Sequence, residues 1–194
     1  MGSERARLLA ENNRRFNEAA ARFASNPPFV GELNGITFYS DDDFLPHTPC
    51  QFKDVEINPD VAHRQVAGTP MDIRPSYLPY GIPPVPQEEG FWGCNGRVYH
   101  ALRRFSGVGG NVEVARWVYP HVSARAPRQY LEPTAIAGRP AVVQRNELYF
   151  NPVFQRNDPA GLQAVIVREE WGLTIVQGFM PIEELVKVAA GLNR

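Results

Sequence analysis

The sequence predicts an α+β domain: an antiparallel sheet with helices packed on one face, an N-terminal helix and a C-terminal helix. Three observations predict it. Short β-branched or alternating runs recur through the middle and last third, and the last pairs are joined by turn sequences. Helical periodicity is confined to the two ends of the chain. Strands in runs, with helices set apart from them, describe an α+β order rather than an alternating βαβ one.

The chain has 194 residues, of which 43% are hydrophobic, 21% charged and 11% aromatic. That composition supports one folded core and excludes a wholly disordered, collagen-like or coiled-coil chain. The formal net charge of −1 excludes a general nucleic-acid binder, which needs a basic excess to release counterions. No apolar run is long enough to span a membrane. No basic stretch followed by an apolar one opens the chain, so no signal peptide is read here; Met1-Gly2-Ser3 reads as an appended start, so the absence of an export signal says nothing of the natural protein. Of the 20 basic residues only Lys53 and Lys187 are lysines. The arginines are scattered, and genome composition explains them.

Residues 4–24 read as a helix capped by Ser3, with Leu9, Phe16, Ala20 and Phe23 near one face. The stripe is narrow, so this helix, bounded as 1–26, lies on a core or a partner rather than within a core. Asn26-Pro27-Pro28 ends it. Residues 27–194 then form a single domain. Ile36–Tyr39 and Phe52–Ile57 read as short strands, separated by Asp41-Asp42-Asp43 in a solvated turn. Residues 58–87 hold seven prolines together with Ile73, Tyr77, Leu78, Tyr80 and Ile82. That is too apolar for a free linker and too Pro-rich for a central element, so an ordered extended segment across the domain is expected.

Residues 97–105 fit a strand or a short helix. Ser106–Gly110 is a glycine loop; a strand follows it over 112–119, which excludes a phosphate loop. Residues 134–137 and 141–145 flank Gly138-Arg139-Pro140. Residues 164–168 and 173–177 flank Glu169-Glu170-Trp171-Gly172 as a hairpin. Pro181 opens the last helix, Glu183 and Glu184 favour its N-terminus, and Gly191 ends it. Its apolar face is Ile182, Leu185, Val186 and Ala189.

Cys50 and Cys94 are the only cysteines, each in turn-rich sequence without a nucleophile motif. Two cysteines without a histidine cluster make a poor zinc site. A disulfide is the simplest reading, adding about 4 kcal/mol by restricting the unfolded chain and implying an oxidising compartment. The four histidines, His47, His63, His100 and His121, show no metal-ligand spacing, and neither a nucleophile elbow nor a zinc-protease motif is present. No catalytic residue, metal ligand or cofactor is therefore assigned. The aromatic residues are the better lead. Tyr77, Tyr80, Trp92 and Trp117 are the candidates for lining a ligand groove, the alternative being that they are core residues and lids over the sheet.

The order of motifs resembles a bacterial domain of unassigned function that follows a membrane anchor in anti-sigma-like and lipoprotein-like proteins. The carriers of the likeness are Ile73-Arg-Pro-Ser-Tyr-Leu-Pro-Tyr-Gly81, Ala137-Gly-Arg-Pro-Ala141, Val167-Arg-Glu-Glu-Trp-Gly172 and Pro181-Ile-Glu-Glu-Leu-Val-Lys-Val-Ala189, over about residues 71–192. That domain is similar in turn to periplasmic lipoprotein-carrier and sigma-E regulatory proteins. The resemblance implies a curved antiparallel sheet cradling helices. It also implies an extracytoplasmic, non-catalytic role in the bacterial envelope, binding a partner protein or an apolar ligand. The competing expectation is a hydrolase acting on envelope material, with His100 or His121 near a carboxylate. A further expectation is that residues 70–86 fill the concave face, which favours partner binding over lipid carriage.

Overall fold

Three two-residue turns set strand register by backbone conformation alone. Asn34-Gly35, Asn95-Gly96 and Ala137-Gly138 each place two successive residues at positive φ, between 50° and 79°. This is the pairing that matches the twist of a tight antiparallel hairpin. The structure is a computed structural model describing residues 6, 7, 10, 11, 14, 31–39, 55–118, 121–123, 131–145, 148–151, 156–159 and 163–193. Ala6, Arg7, Ala10, Glu11 and Arg14 are helical and exposed. The stripe residues Leu9, Phe16, Ala20 and Phe23 lie outside the described residues.

The strands are β1 (Gly31–Leu33), β2 (Ile36–Tyr39), β3 (Val55–Glu56), β4 (Glu88–Cys94), β5 (Arg97–Gly107), β6 (Gly110–Trp117), β7 (His121–Ser123), β8 (Leu131–Ile136), β9 (Arg139–Gln144), β10 (Leu148–Asn151), β11 (Arg156–Pro159), β12 (Gln163–Arg168) and β13 (Leu173–Gly178). Eight of them form one sheet in the order β3-β4-β5-β6-β13-β12-β9-β8, with every neighbouring pair antiparallel. A smaller sheet runs β1-β2-β7, and β10 pairs with β11 alone. Beyond the helical residues near the N-terminus, the described helices are α1 (Pro59–Val66) and α2 (Ile182–Ala190). The protein is a sheet-rich α+β fold.

Alternation along the strands divides the apolar residues between two cores. Ala141 and Val143 of β9, and Val165 and Val167 of β12, join a main core with Ala62 and Val66 of α1 and Leu185 and Val188 of α2. The intervening Val142 and Ile166 join a second core with Ile36 and Phe38 of β2, Leu131 and Leu173. This half of the sheet is thus covered on both faces, which explains why β12 reads as a continuous apolar run. The small sheet is pinned over the second face by Asn34, whose amide donates to the Thr134 and Ala141 carbonyls, both at 2.8 Å. Arg168 likewise donates to the Gly35 carbonyl.

The Pro-rich segment corrects one expectation. Its first residues form α1 rather than extended chain. Pro59 occupies the start of the helix, where a missing N–H costs nothing, and the Asn58 side chain caps it by accepting from the Asp60 amide at 2.9 Å. The rest follows an irregular path with Met71, Asp72, Ile73 and Ile82 buried. Gly107 and Gly109 let the Tyr80-Gly81 backbone lie against the β5–β6 turn, because a Cβ on either would strike a carbonyl of that loop. The ambiguous stretch 97–105 lies wholly within β5, and the expected glycine loop is the tight end of the β5–β6 hairpin. In α2, Pro181 stands just before the first helical residue, and Val188 rather than Val186 is fully buried.

The main core also encloses charge. Arg116 is 0% exposed and donates to the Pro70 carbonyl and, at 2.5 Å, to the Asn193 carbonyl. Its guanidinium lies 5.6 Å from the Trp171 ring centroid. Burial draws its pKa down to about 10, so it stays charged, with backbone oxygens instead of a bonded carboxylate. Asn193 in turn accepts from the Arg74 amide at 3.0 Å and donates to the Asp72 carbonyl at 2.7 Å. The chain's last residues thereby clamp the Pro-rich segment to the sheet.

Candidate functional site

Trp92, His100 and Trp117 stand side by side on β4, β5 and β6. Trp92 is the register partner of His100, and His100 of Trp117. Cross-strand neighbours on one face lie close enough for rings to meet. The His100 ring stacks on Trp92 at 4.6 Å between centroids and 22°, and on Trp117 at 3.7 Å and 15°. The ladder lies on the second face, because the alternate residues Phe91 and Ala101 enter the main core. It borders Leu173, the register partner of Trp117 and a member of the second core.

Local sequence builds the bed of this stack. Gly90 has no Cβ, and the Trp92 indole occupies the space one would take. The register shifts between Trp92 and Gly93, where Gly93 pairs with Val98 and Tyr99 is left as the extra residue. Trp92 and His100 face the same way because they are direct register partners, and the bulge takes up Tyr99 just beyond them.

Among the described residues, two nitrogens of the ladder, His100 Nε2 and Trp117 Nε1, are buried without a hydrogen-bond partner. Leaving such groups unsatisfied costs about 1–3 kcal/mol each, so the site is built against stability, as binding sites commonly are. Burial lowers the His100 pKa to about 4, so the ring is neutral at pH 7. Both faces of the neutral imidazole are covered by the indoles, so the half-buried surface of the ladder is aromatic and uncharged. Proton shuttling near neutrality needs a pKa close to ambient, which His100 lacks.

The four sequence candidates separate. Trp92 and Trp117 come together through His100, a residue that the sequence offered only as a histidine near a carboxylate in the competing hydrolase expectation. Tyr77 is on the helix side, packed against the main core, with its hydroxyl donating to Glu184 and Lys187 Nζ 5.8 Å from its ring centroid. The hydrogen bond to Glu184, foremost, raises the Tyr77 pKa. Tyr80 is 97% exposed on the loop against the β5–β6 turn. Cys94 closes β4 and is not free; Cys50 lies outside the described residues, as does the triple-aspartate turn. The side chain of His121 is likewise not described.

Among the described residues, the histidine that meets a carboxylate is His63 of α1, with Nε2 3.1 Å from Glu89 Oε2. Glu89 also pairs with Arg103 at 2.5 Å, and Arg103 lies 3.6 Å from Asp72, itself 2.6 Å from Arg74. The sequence separation of 26 residues hid this pair. Among the described residues no group of three or more His, Cys, Asp or Glu side chains is arranged to hold a metal ion, and no helix is long and apolar enough to cross a membrane. No protein-family model, curated protein or solved structure matches the chain.

Proposed function

We propose that this chain is an extracytoplasmic, non-catalytic domain of a bacterial envelope protein, held at the membrane by a segment outside it, and that it docks a partner protein on the Trp92–His100–Trp117 face. The observation that carries the reading is the half-buried aromatic ladder. Aromatic side chains with one polar edge are the residues that anchor protein interfaces. The ordered motifs over 71–192 support the envelope assignment, and a curved sheet cradling helices accords with one core shared by α1, α2 and the sheet.

A partner is favoured over a lipid because Met71, Ile73 and Ile82 pack between sheet and helices, where a carrier of this shape would hold an acyl chain. Native mass spectrometry of freshly purified protein should therefore show no lipid adduct. A photo-crosslinker at position 92, expressed in the native host, should yield one adduct of defined mass, and the same group at Tyr80 should not. A bound lipid in the first experiment reverses the choice of ligand; equal crosslinking from both positions removes the docking face. The second reading, hydrolysis of envelope material, draws on the His63–Glu89 pair. It requires His63→Ala to abolish hydrolysis of a peptidoglycan or ester substrate by the purified protein.

A further inference from the structure

The second face carries another feature, at the hairpin end of β5 and β6. Arg104, Glu113 and Gln177 are consecutive register partners on β5, β6 and β13. With Asn111, Gly178 and Phe179 they line a cleft of about 270 Å³. Drug-sized pockets run from roughly 300 to 1,000 Å³, so this one suits a single small ring. It sits four residues along the strands from the aromatic ladder, which is about 13 Å at strand rise. Leu102, Ala115 and Ile175 form the register row midway between the two.

The polar groups are ordered in advance. Arg104 Nε and Nη2 donate to Glu113 Oε2 at 3.2 and 2.6 Å, and Arg104 also pairs with Glu88. Gln177 Nε2 donates to Glu113 Oε1 at 2.6 Å. That bond fixes which way the Gln177 amide faces. Its carbonyl oxygen receives no hydrogen bond, and the Asn111 side-chain amide makes none, among the described residues. Phe179 is 58% exposed beside them. The charge pattern selects the ligand class. The Arg104 guanidinium is committed to two carboxylates, so an anion finds no open cation. Both oxygens of Glu113 are engaged, so a cation finds no open carboxylate. What remains is a set of planar amides that donate and accept, beside an aromatic ring open to solvent. Hydroxyl groups both donate and accept, and the C–H face of a sugar ring packs on an aromatic one.

We infer that this cleft is a subsite for one neutral pyranose ring, a glycan contact separate from the partner-docking ladder. Saturation-transfer NMR with glucose, galactose and N-acetylglucosamine as probes tests it. At least one should receive saturation on its ring protons. Phe179→Ala and Asn111→Ala should each weaken that sugar's Kd by about tenfold, which corresponds to about 1.4 kcal/mol. Both residues are at the surface or its margin, and an unchanged melting temperature confirms the variants are folded. Trp92→Ala should leave sugar binding intact, which separates this site from the ladder. No transfer to any of the three sugars, transfer unaffected by both cleft variants, or displacement of the sugar by inorganic phosphate or methylammonium would overturn the assignment.

Discussion

His100 is held neutral because burial among indoles penalises its charged form, setting its pKa near 4 against an ordinary value of 6.5. Between those two values the unfolded chain binds the extra proton and the folded chain does not. Stability contributed by the neutral ring is therefore complete above pH 6.5 and is lost as pH falls toward 4. The slope from this one group cannot exceed about 1.4 kcal/mol per pH unit. Urea unfolding at stepped pH should show that decline, and His100→Phe should flatten it while keeping the stack. Gly90 is the other residue on which the ladder depends. Gly90→Ala places a methyl inside the Trp92 ring position, so it should destabilise by about 1–3 kcal/mol and shift tryptophan emission. An unchanged emission maximum would show that Trp92 does not lie over Gly90.

Among elements, α1 is short, eight residues, and rests on its N-cap. Asn58→Ala should cost about 1 kcal/mol, seen as a lower urea midpoint with an unaltered slope. Its helix was legible in principle, since Asn-Pro followed by Asp is a capping sequence; the count of prolines downstream obscured it. The missed strands had a comparable signal. Asn34-Gly35 and Asn95-Gly96 are strong hairpin dipeptides, and the second would have revealed β4, whose Phe91 and Trp92 face opposite sides. The stretch 97–105 stayed ambiguous because its arginines break the alternation. Arg103 and Arg116 point inward, where Glu89, backbone carbonyls and Asn193 receive them.

For the whole molecule, the last residues hold the Pro-rich segment in place. Ser76 bonds the Gly191 carbonyl through both its amide and its hydroxyl, and Asn193 links Asp72, Arg74 and Arg116. Asn193→Ala removes the side-chain partner of the Arg74 amide and the partly buried Asp72 carbonyl, so it should cost about 1–2 kcal/mol and lower the melting temperature by several degrees. Unchanged melting would mean that water replaces the clamp. The compartment assignment has its own check at this scale. A thiol count on denatured, unreduced protein should find none if Cys50 and Cys94 are bridged; two titratable thiols would remove the oxidising-compartment argument.

The sequence by itself determined the β8–β9 and β12–β13 hairpins, the final helix and the sheet-rich α+β class, because these depend on local turn chemistry and on side-chain period. It also determined that Trp92 and Trp117 were worth attention. Only the tertiary structure decided that those two rings meet on one face through His100, while Tyr77 and Tyr80 go elsewhere. Strand pairing sets which distant residues become neighbours, and a bulge at Gly93 shifts that pairing by one residue. The same holds for the cleft: Arg104, Glu113 and Gln177 are unremarkable polar residues in the chain. Register alone makes them adjacent, and their mutual hydrogen bonds then fix which polar edges are left facing solvent.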